Sequence, residues 1–336
     1  MIKKIMIISL AVMLGVVLQA QTRVIPMPDL NKPETVSVDQ TQMYVTEGVS
    51  IYIYSLKDFK LIKKIGKRGE GPQEFNVPPT LPLAINIQTN DLFAESLGKV
   101  SWFSKDGNFK KEQKLPNPLI VFLKPFGKNF IGIRIEQENQ KNMMKLNLYS
   151  DQFSKLKELR KLDYYFQPGK GYNVLQNPPI SVIYENKLFV DWENDIIIDV
   201  LDLEVNKLYT IKHDIERRPV TADDKKEIIE IFRTNPASKD AFEILKPFNF
   251  PSKFPAIQNL FITGNKIYLV TFKKQGKQNE LLIMDLKGKL LKQVFIDLLT
   301  ETPIQPYPYT IENGILYQTV ENLDEEDWEL HVTEIK

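Results

Sequence analysis

The chain of 336 residues contains no cysteine and only two histidines. The first absence removes disulfide crosslinks, thiolate metal ligands and cysteine nucleophiles together, and leaves no cysteine to carry a lipid. An exported product must then be stable through its core alone. The second absence leaves His213 and His331 as the only imidazoles, too few for a histidine-rich zinc site. Both fall in strand-like stretches, His213 on an outer strand and His331 on the third strand of the last repeat, and neither is a candidate catalytic base. An excess of one charge is also missing. There are 44 Lys and Arg against 43 Asp and Glu, a net +1, which argues against nucleic acid or an anionic membrane as a whole-surface partner.

Long apolar runs are scarce as well. The main one is residues 5–18, about 14 residues and shorter than the roughly 20 that span a bilayer. Lys3 and Lys4 precede it, and Gln19, Ala20 and Gln21 place a small residue at a plausible cut. Residues 1–20 therefore read as a secretory signal peptide cleaved after Ala20, with export to the periplasm or the exterior and no membrane span afterwards. Without Lys3 and Lys4 the balance becomes 42 to 43, a net −1.

What is present is organised around residues 59–79, FKLIKKIGKRGEGPQEFNVPP. Phe59, Leu61 and Ile65 alternate with lysines as an exposed strand does. Gly66, Gly69, Gly71 and Pro72 then break regular structure, Phe75 offers an apolar anchor, and Pro78 and Pro79 launch another extended segment. This order resembles the junction between blades of NHL-type β-propellers, where a glycine-rich loop carries the chain from the outermost strand of one blade to the innermost strand of the next.

The resemblance implies recurrence at roughly 40 to 50 residues. Prolines do lead apolar segments at Pro33, Pro79, Pro118, Pro179, Pro255 and Pro306. Second strands follow at 43–46, 91–94, 129–133, 187–191, 266–271 and 314–319. Hairpins to a fourth strand read at 51–65, 100–115, 145–162, 197–215 and 281–297, with Gly107 and Gly288 at turns. The sixth copy lacks a fourth strand. Residues 22–27 are expected to supply it by pairing with 328–335, which closes a ring. The expectation is an all-β, six-bladed propeller of four-stranded blades spanning 21–336. A helical insertion at about 217–253 lies between the fourth and fifth blades, opened by a capping-box-like Thr221 and Asp224. This layout also resembles bacterial exported six-bladed β-propellers.

The fold hosts many functions, so sites are weighed singly. Arg68, Glu70, Gln73 and Glu74 are candidates to line the mouth of a central channel, against a reading in which they are solvated loop charges. Tyr164, Tyr165, Phe166 and Tyr172 gather in one long loop, and Phe248, Phe250 and Phe254 at the end of the insertion. Such aromatics either stack on a sugar or anchor a protein, or else pack the insertion onto the ring. Some six-bladed propellers are lactonases with an axial calcium ion, and on that resemblance Asn86, Glu95, Asp191 and Glu185 are candidate oxygen ligands. The leading expectation is an exported, non-catalytic binding module for a protein or glycan of the cell envelope, with no cofactor. A calcium-dependent hydrolase of lactonase type and a structural subunit of an envelope assembly are the alternatives.

Overall fold

The computed structural model describes residues 22–78, 81–176, 178–191, 195–235, 238–302 and 304–336. The leader expected at 1–20, its cut at Ala20, and Pro79 lie outside these residues. Among the described residues there are six four-stranded antiparallel sheets. Sheet 1 comprises Thr35–Val38, Gln42–Glu47, Ser50–Ser55 and Leu61–Ile65, and sheet 2 comprises Ala84–Ile87, Asp91–Ser96, Lys99–Ser104 and Phe109–Lys114. Sheet 3 runs Ile120–Phe126, Asn129–Glu138, Lys141–Tyr149, Lys155–Asp163; sheet 4 runs Ser181–Tyr184, Lys187–Asp191, Ile196–Leu201, Lys207–His213. Sheet 5 runs Ile257–Thr263, Lys266–Gln275, Gln278–Asp285, Leu290–Ile296. Sheet 6 takes Tyr309–Glu312, Ile315–Asn322 and Asp327–Glu334, and its fourth strand is Thr22–Pro26, from the opposite end of the chain. The whole is an all-β, propeller-like fold.

The middle strands owe their composition to burial on both faces. A strand points successive side chains to opposite sides of its sheet. In sheet 1, Tyr52 and Tyr54 enter a cluster shared with sheet 6, whereas Ile51 and Ile53 enter a cluster shared with sheet 2. Sheet 5 repeats the device: Leu282 and Met284 pack toward sheet 4, Leu281 and Ile283 toward sheet 6. Continuous runs such as IYIY and LLIM are therefore what these strands require. The outer strands face solvent on one edge and carry the lysines, a composition that discourages further strand pairing. Gly107 and Gly288 sit at hairpin turns with positive φ, as their positions in the sequence imply.

Six apolar clusters follow this pattern, and each is shared by two successive sheets. One of them joins the last sheet to the first through Trp328, Leu330 and Tyr317 against Val36, Met43 and Tyr52. The innermost strands Tyr309–Glu312 and Thr35–Val38 also lie side by side. Thr22–Pro26 pairs with the strand ending at Glu334 in the register Thr22 to Thr333 through Pro26 to Glu329. Trp328 rivets this closure: its indole N–H donates to the Asn31 carbonyl at 2.6 Å, and its own carbonyl accepts from Met27 N–H at 2.7 Å.

The 59–79 junction is ordered by its own atoms. Lys67–Arg68 pairs in parallel with Glu74–Phe75, and Phe75 is fully buried between sheets 1 and 2. Gly66 has φ +89°, and a Cβ there would lie 2.4 Å from the Val49 carbonyl oxygen and 2.8 Å from the Phe75 ring. Only glycine fits.

Between sheets 4 and 5 the chain makes a helical excursion. Helix α1 (Ala222–Thr234) starts at Thr221, whose hydroxyl accepts from Asp224 N–H at 3.1 Å while the Asp224 carboxylate accepts from Thr221 N–H at 2.9 Å. This is the reciprocal cap expected from the sequence. Burial by itself would raise the Asp224 pKa, but the Thr221 hydrogen bonds and the Arg218 guanidinium hold it below the ordinary value. A short helix α2 (Phe242–Leu245) follows. No helix among the described residues is long and apolar enough to cross a membrane.

Trp328→Ala is expected to destabilise the protein by about 3–5 kcal/mol, because it empties the cluster joining the two ends of the chain. Val24→Ala, at a side chain 47% exposed on the added strand, is expected to change stability by about 0.5 kcal/mol or less. Urea unfolding of both variants checks the difference.

Candidate functional site

The connections from the outer strand of one sheet to the inner strand of the next gather at one end of the sheets. Two of them, residues 164–180 and 214–256, flank sheet 4, and they bind each other. Tyr172 and Asn173 pair in parallel with Phe248 and Asn249. Tyr172 N–H donates to the Pro247 carbonyl at 3.0 Å, Val174 N–H donates to the Asn249 carbonyl at 2.8 Å, and the Asn249 side-chain amide donates to the Lys170 carbonyl at 2.8 Å. Gly171 makes the approach possible, since a Cβ there would fall 2.0 Å from the Pro247 carbonyl oxygen.

Aromatic side chains fill the space beneath. Tyr165 and Tyr172 have ring centroids 5.3 Å apart, and Tyr172 meets Phe232 of α1 edge-on at 5.2 Å. Phe248 lies 5.2 Å from Phe232 and 5.4 Å from Phe242. The Tyr164 hydroxyl donates to Tyr165 at 2.6 Å. Burial, reinforced by the neighbouring Tyr165, pushes Tyr172 up to about 12, and burial followed by the Tyr165 hydrogen bond raises Tyr164. These phenols stay neutral. Most of the aromatics singled out in the sequence thus hold the excursion onto the adjoining loop. Phe166 pairs opposite Tyr172, and Phe254 is buried under the Arg218 guanidinium, 4.4 Å from its ring centroid.

Phe250 differs. It lines a cavity of about 520 Å³ between the two connections, with Pro178, Pro179, Pro251 and Pro255 among its other apolar walls beside aliphatic side chains such as Leu162 and Ile257. Asn173, Gln176 and Asn249 bring amides to this cavity, and Asp163 and Asp191 bring carboxyl groups. Of the residues proposed from sequence, Phe250 and Asp191 meet here. The amides were not singled out there, and Pro179 and Pro255 were named only as prolines leading apolar segments. The available signal for the amides was interleaving with aromatics, as in Tyr172-Asn173 and Phe248-Asn249-Phe250.

The other candidates are placed elsewhere. Glu74 turns inward, accepting from Gly71 N–H at 2.9 Å and pairing with Lys67 at 2.9 Å. Hydrogen bonding from Lys67 and the Gly71 amide lowers its pKa. Arg68, Glu70 and Gln73 are exposed on the same loop, and none of the four lines the cavity or the central channel.

That channel, of about 920 Å³, is bounded by inner strands and by turns such as 88–90 and 185–186, so it opens at the end opposite the long connections. Asn86, Glu185 and Lys124 line it. Asn86 and Glu95 converge on one residue of sheet 3. A register shift between Val121 and Lys124, with Phe122 at φ +56°, frees backbone groups there. Glu95 accepts from Leu123 N–H at 2.6 Å and the Asn86 side-chain amide donates to the Leu123 carbonyl at 3.1 Å. The two side chains thereby satisfy a bulge. Asp191 lies apart in the Phe250 cavity, and the described residues contain no cluster of three or more His, Cys, Asp or Glu arranged to hold a metal ion.

Glu95 is nearly fully buried, which pushes its pKa up to about 7 against the pull of the Leu123 and Phe122 amides and of Lys124. Lys124 is lowered to about 8, first by burial, with Glu95 opposing. A carboxyl whose folded pKa exceeds its unfolded value binds its proton more tightly when folded. Its contribution to stability is full below the unfolded value and is lost as pH rises through the folded one.

With these sites in view, comparison with known proteins concerns the fold. No protein-family model matches the sequence, and no curated protein matches it. Among solved structures, the chain is similar to a Bacteroides fragilis protein named as exported, with 12% identity, 95% of each chain covered and a TM-score of 0.57. It is also similar to a member of the DUF4221 family from Bacteroides vulgatus, with 11% identity, 94% of this chain and 96% of that one covered, and a TM-score of 0.51. At such identity the likeness is one of fold.

Glu95→Gln is expected to make the loss of stability between pH 4.5, the ordinary carboxyl value, and about 7 shallower. The flattening is on the order of 2–3 kcal/mol. Glu34 and Glu312, both raised by burial, leave a residual slope. Urea unfolding across this pH range measures it.

Proposed function

We propose that the protein is an exported, non-catalytic binding module, a single six-bladed β-propeller following the leader at 1–20, which takes a glycan in the Phe250 cavity. The cavity carries this reading: a concavity of about 520 Å³ with an aromatic ring, proline walls and converging amides. Small-ligand sites are concave and mostly apolar with a few polar groups that fix orientation; this cavity has more polar wall than that, which suits a hydroxylated ligand. Saccharide rings present apolar faces to stack on Phe250 and hydroxyl edges for Asn173, Gln176 and Asn249 to bond. A protein partner would be better served by a convex or flat aromatic patch, and here most of the aromatics are engaged in packing the excursion. The fold likeness to a protein named as exported accords with the leader.

The calcium-dependent hydrolase has less support, since Asn86 and Glu95 spend hydrogen bonds on Leu123 and Asp191 lies in another cavity. It makes a separate expectation: after EDTA treatment, added calcium would raise the melting temperature of the chain from Gln21 onward. The binding-module reading expects no shift.

Titration calorimetry against a panel of oligosaccharides tests the main reading. Phe250→Ala is expected to weaken binding about fivefold, roughly 1 kcal/mol of stacking, with the thermal midpoint nearly unchanged. Binding that ignores this substitution would place the ligand elsewhere.

A further inference from the structure

A second, smaller hollow of about 320 Å³ adjoins the Phe250 cavity, and the two share Asp163, Asn173 and Asn249 in their walls. The sharing follows from the pairing of Asn173 with Asn249 across the parallel rung, which sets both amides on a common divider. The chemistry changes from one side to the other. Among the described residues, the wall of the Phe250 cavity has prolines and an aromatic ring and no Lys or Arg, though Lys225 reaches the Phe250 ring from 5.8 Å. Among the described residues, the smaller hollow has no proline and no aromatic ring in its wall, and it has two amines, Lys141 and Lys170.

Those amines are carried on an ordered frame. Lys141 opens the third strand of sheet 3 and pairs with Glu138 in the ladder. Lys170 sits on the turn closed by its own N–H donating to Gln167 at 3.0 Å, and its carbonyl is held by the Asn249 amide. Gln167 in turn is fixed by donating to the Asn142 carbonyl at 2.7 Å and accepting from Asn142 N–H at 2.9 Å. Residues from sheet 3, the aromatic loop and the end of the excursion therefore meet around one small basin.

We propose that the two hollows are consecutive subsites for one acidic oligosaccharide, with an uncharged unit over Phe250 and an anionic unit, carboxylate or sulfate ester, between Lys141 and Lys170. This rests on the glycan reading above. Asp163 lines both hollows, but Asp191 lines only the Phe250 cavity and Lys141 and Lys170 only the smaller hollow, so the anionic unit is favoured on the lysine side of the divider. That asymmetry sets the direction in which the chain lies. Both lysines are exposed, so their contribution is modest and screened by salt.

Calorimetry with three matched probes tests the inference: a neutral tetrasaccharide, the same with a terminal uronic acid, and the same with a terminal sulfate ester. Wild type, Phe250→Ala and the Lys141→Gln, Lys170→Gln double variant are compared at low and at physiological salt. Wild type is expected to bind an acidic probe about three- to tenfold more tightly than the neutral one. The preference shrinks with salt and disappears in the double variant, while neutral-probe affinity is retained. Tighter binding of only one acidic probe identifies the anion. Equal affinity for neutral and acidic probes, or a preference that survives loss of both lysines, overturns this inference and leaves the glycan reading standing. Failure of every probe to bind overturns both.

Discussion

Each apolar cluster in this protein belongs to two sheets at once, and the rest of the structure depends on that sharing. A four-stranded sheet with both faces apolar is not stable alone; it needs a neighbour on either side. Six such sheets, taken in chain order, share five clusters and leave one unmet face at each end, and the Trp328 and Leu330 cluster against Val36 and Tyr52 satisfies both. The added strand Thr22–Pro26 binds the two ends with backbone hydrogen bonds. With no disulfide to restrain the unfolded chain, cohesion rests on this closed series of cores.

That rigid ring frees the connections at one end to diverge. Three are long, the glycine-rich junction at 66–83 and the two flanking sheet 4, and the latter two have combined into a small structure of their own. Its glue is aromatic: Tyr172, Phe232, Phe242 and Phe248 pack the excursion onto the neighbouring loop. Its seam is the parallel rung from Tyr172 to Asn249. The Phe250 cavity and the basic hollow beside it exist because the seam stands off from the inner strands of sheets 4 and 5. At the other end, the channel past Asn86 and Lys124 is a consequence of ring geometry, whereas the buried Glu95, opposite Ala84 where the chain enters sheet 2, serves the sheet 3 bulge.

Much of the architecture was legible in the residues. Runs such as IYIY, unbroken by polar residues, mark strands covered on both faces, and the lysine-bearing strands after them mark outer edges. The missing fourth strand of the last repeat pointed to RVIPM near the start of the chain, and the register Thr22 to Thr333 matches that expectation. Thr221 and Asp224 announced the start of α1 because a reciprocal cap is a local device, needing only four consecutive residues.

The candidate site was less legible. Tyr164, Tyr165, Tyr172 and Phe248 looked much like Phe250 in sequence, since an aromatic in a loop has the same composition whether it packs or protrudes. Asn86, Glu95 and Asp191 likewise share the chemistry of calcium ligands, yet two of them meet at Leu123 and the third faces another cavity. Local signals by themselves determined the strands, their burial on both faces and the helix cap, because each depends on periodicity or on neighbours a few residues apart, and the repeat count pointed to closure through the strand the last copy lacked. Only the tertiary structure decided which aromatics are spent on packing, where Glu95 points, and that Asn173 and Asn249 stand together. The first and last of those outcomes depend on two connections, some 75 residues apart in the chain, meeting at one rung, and the second on Leu123 in the neighbouring sheet.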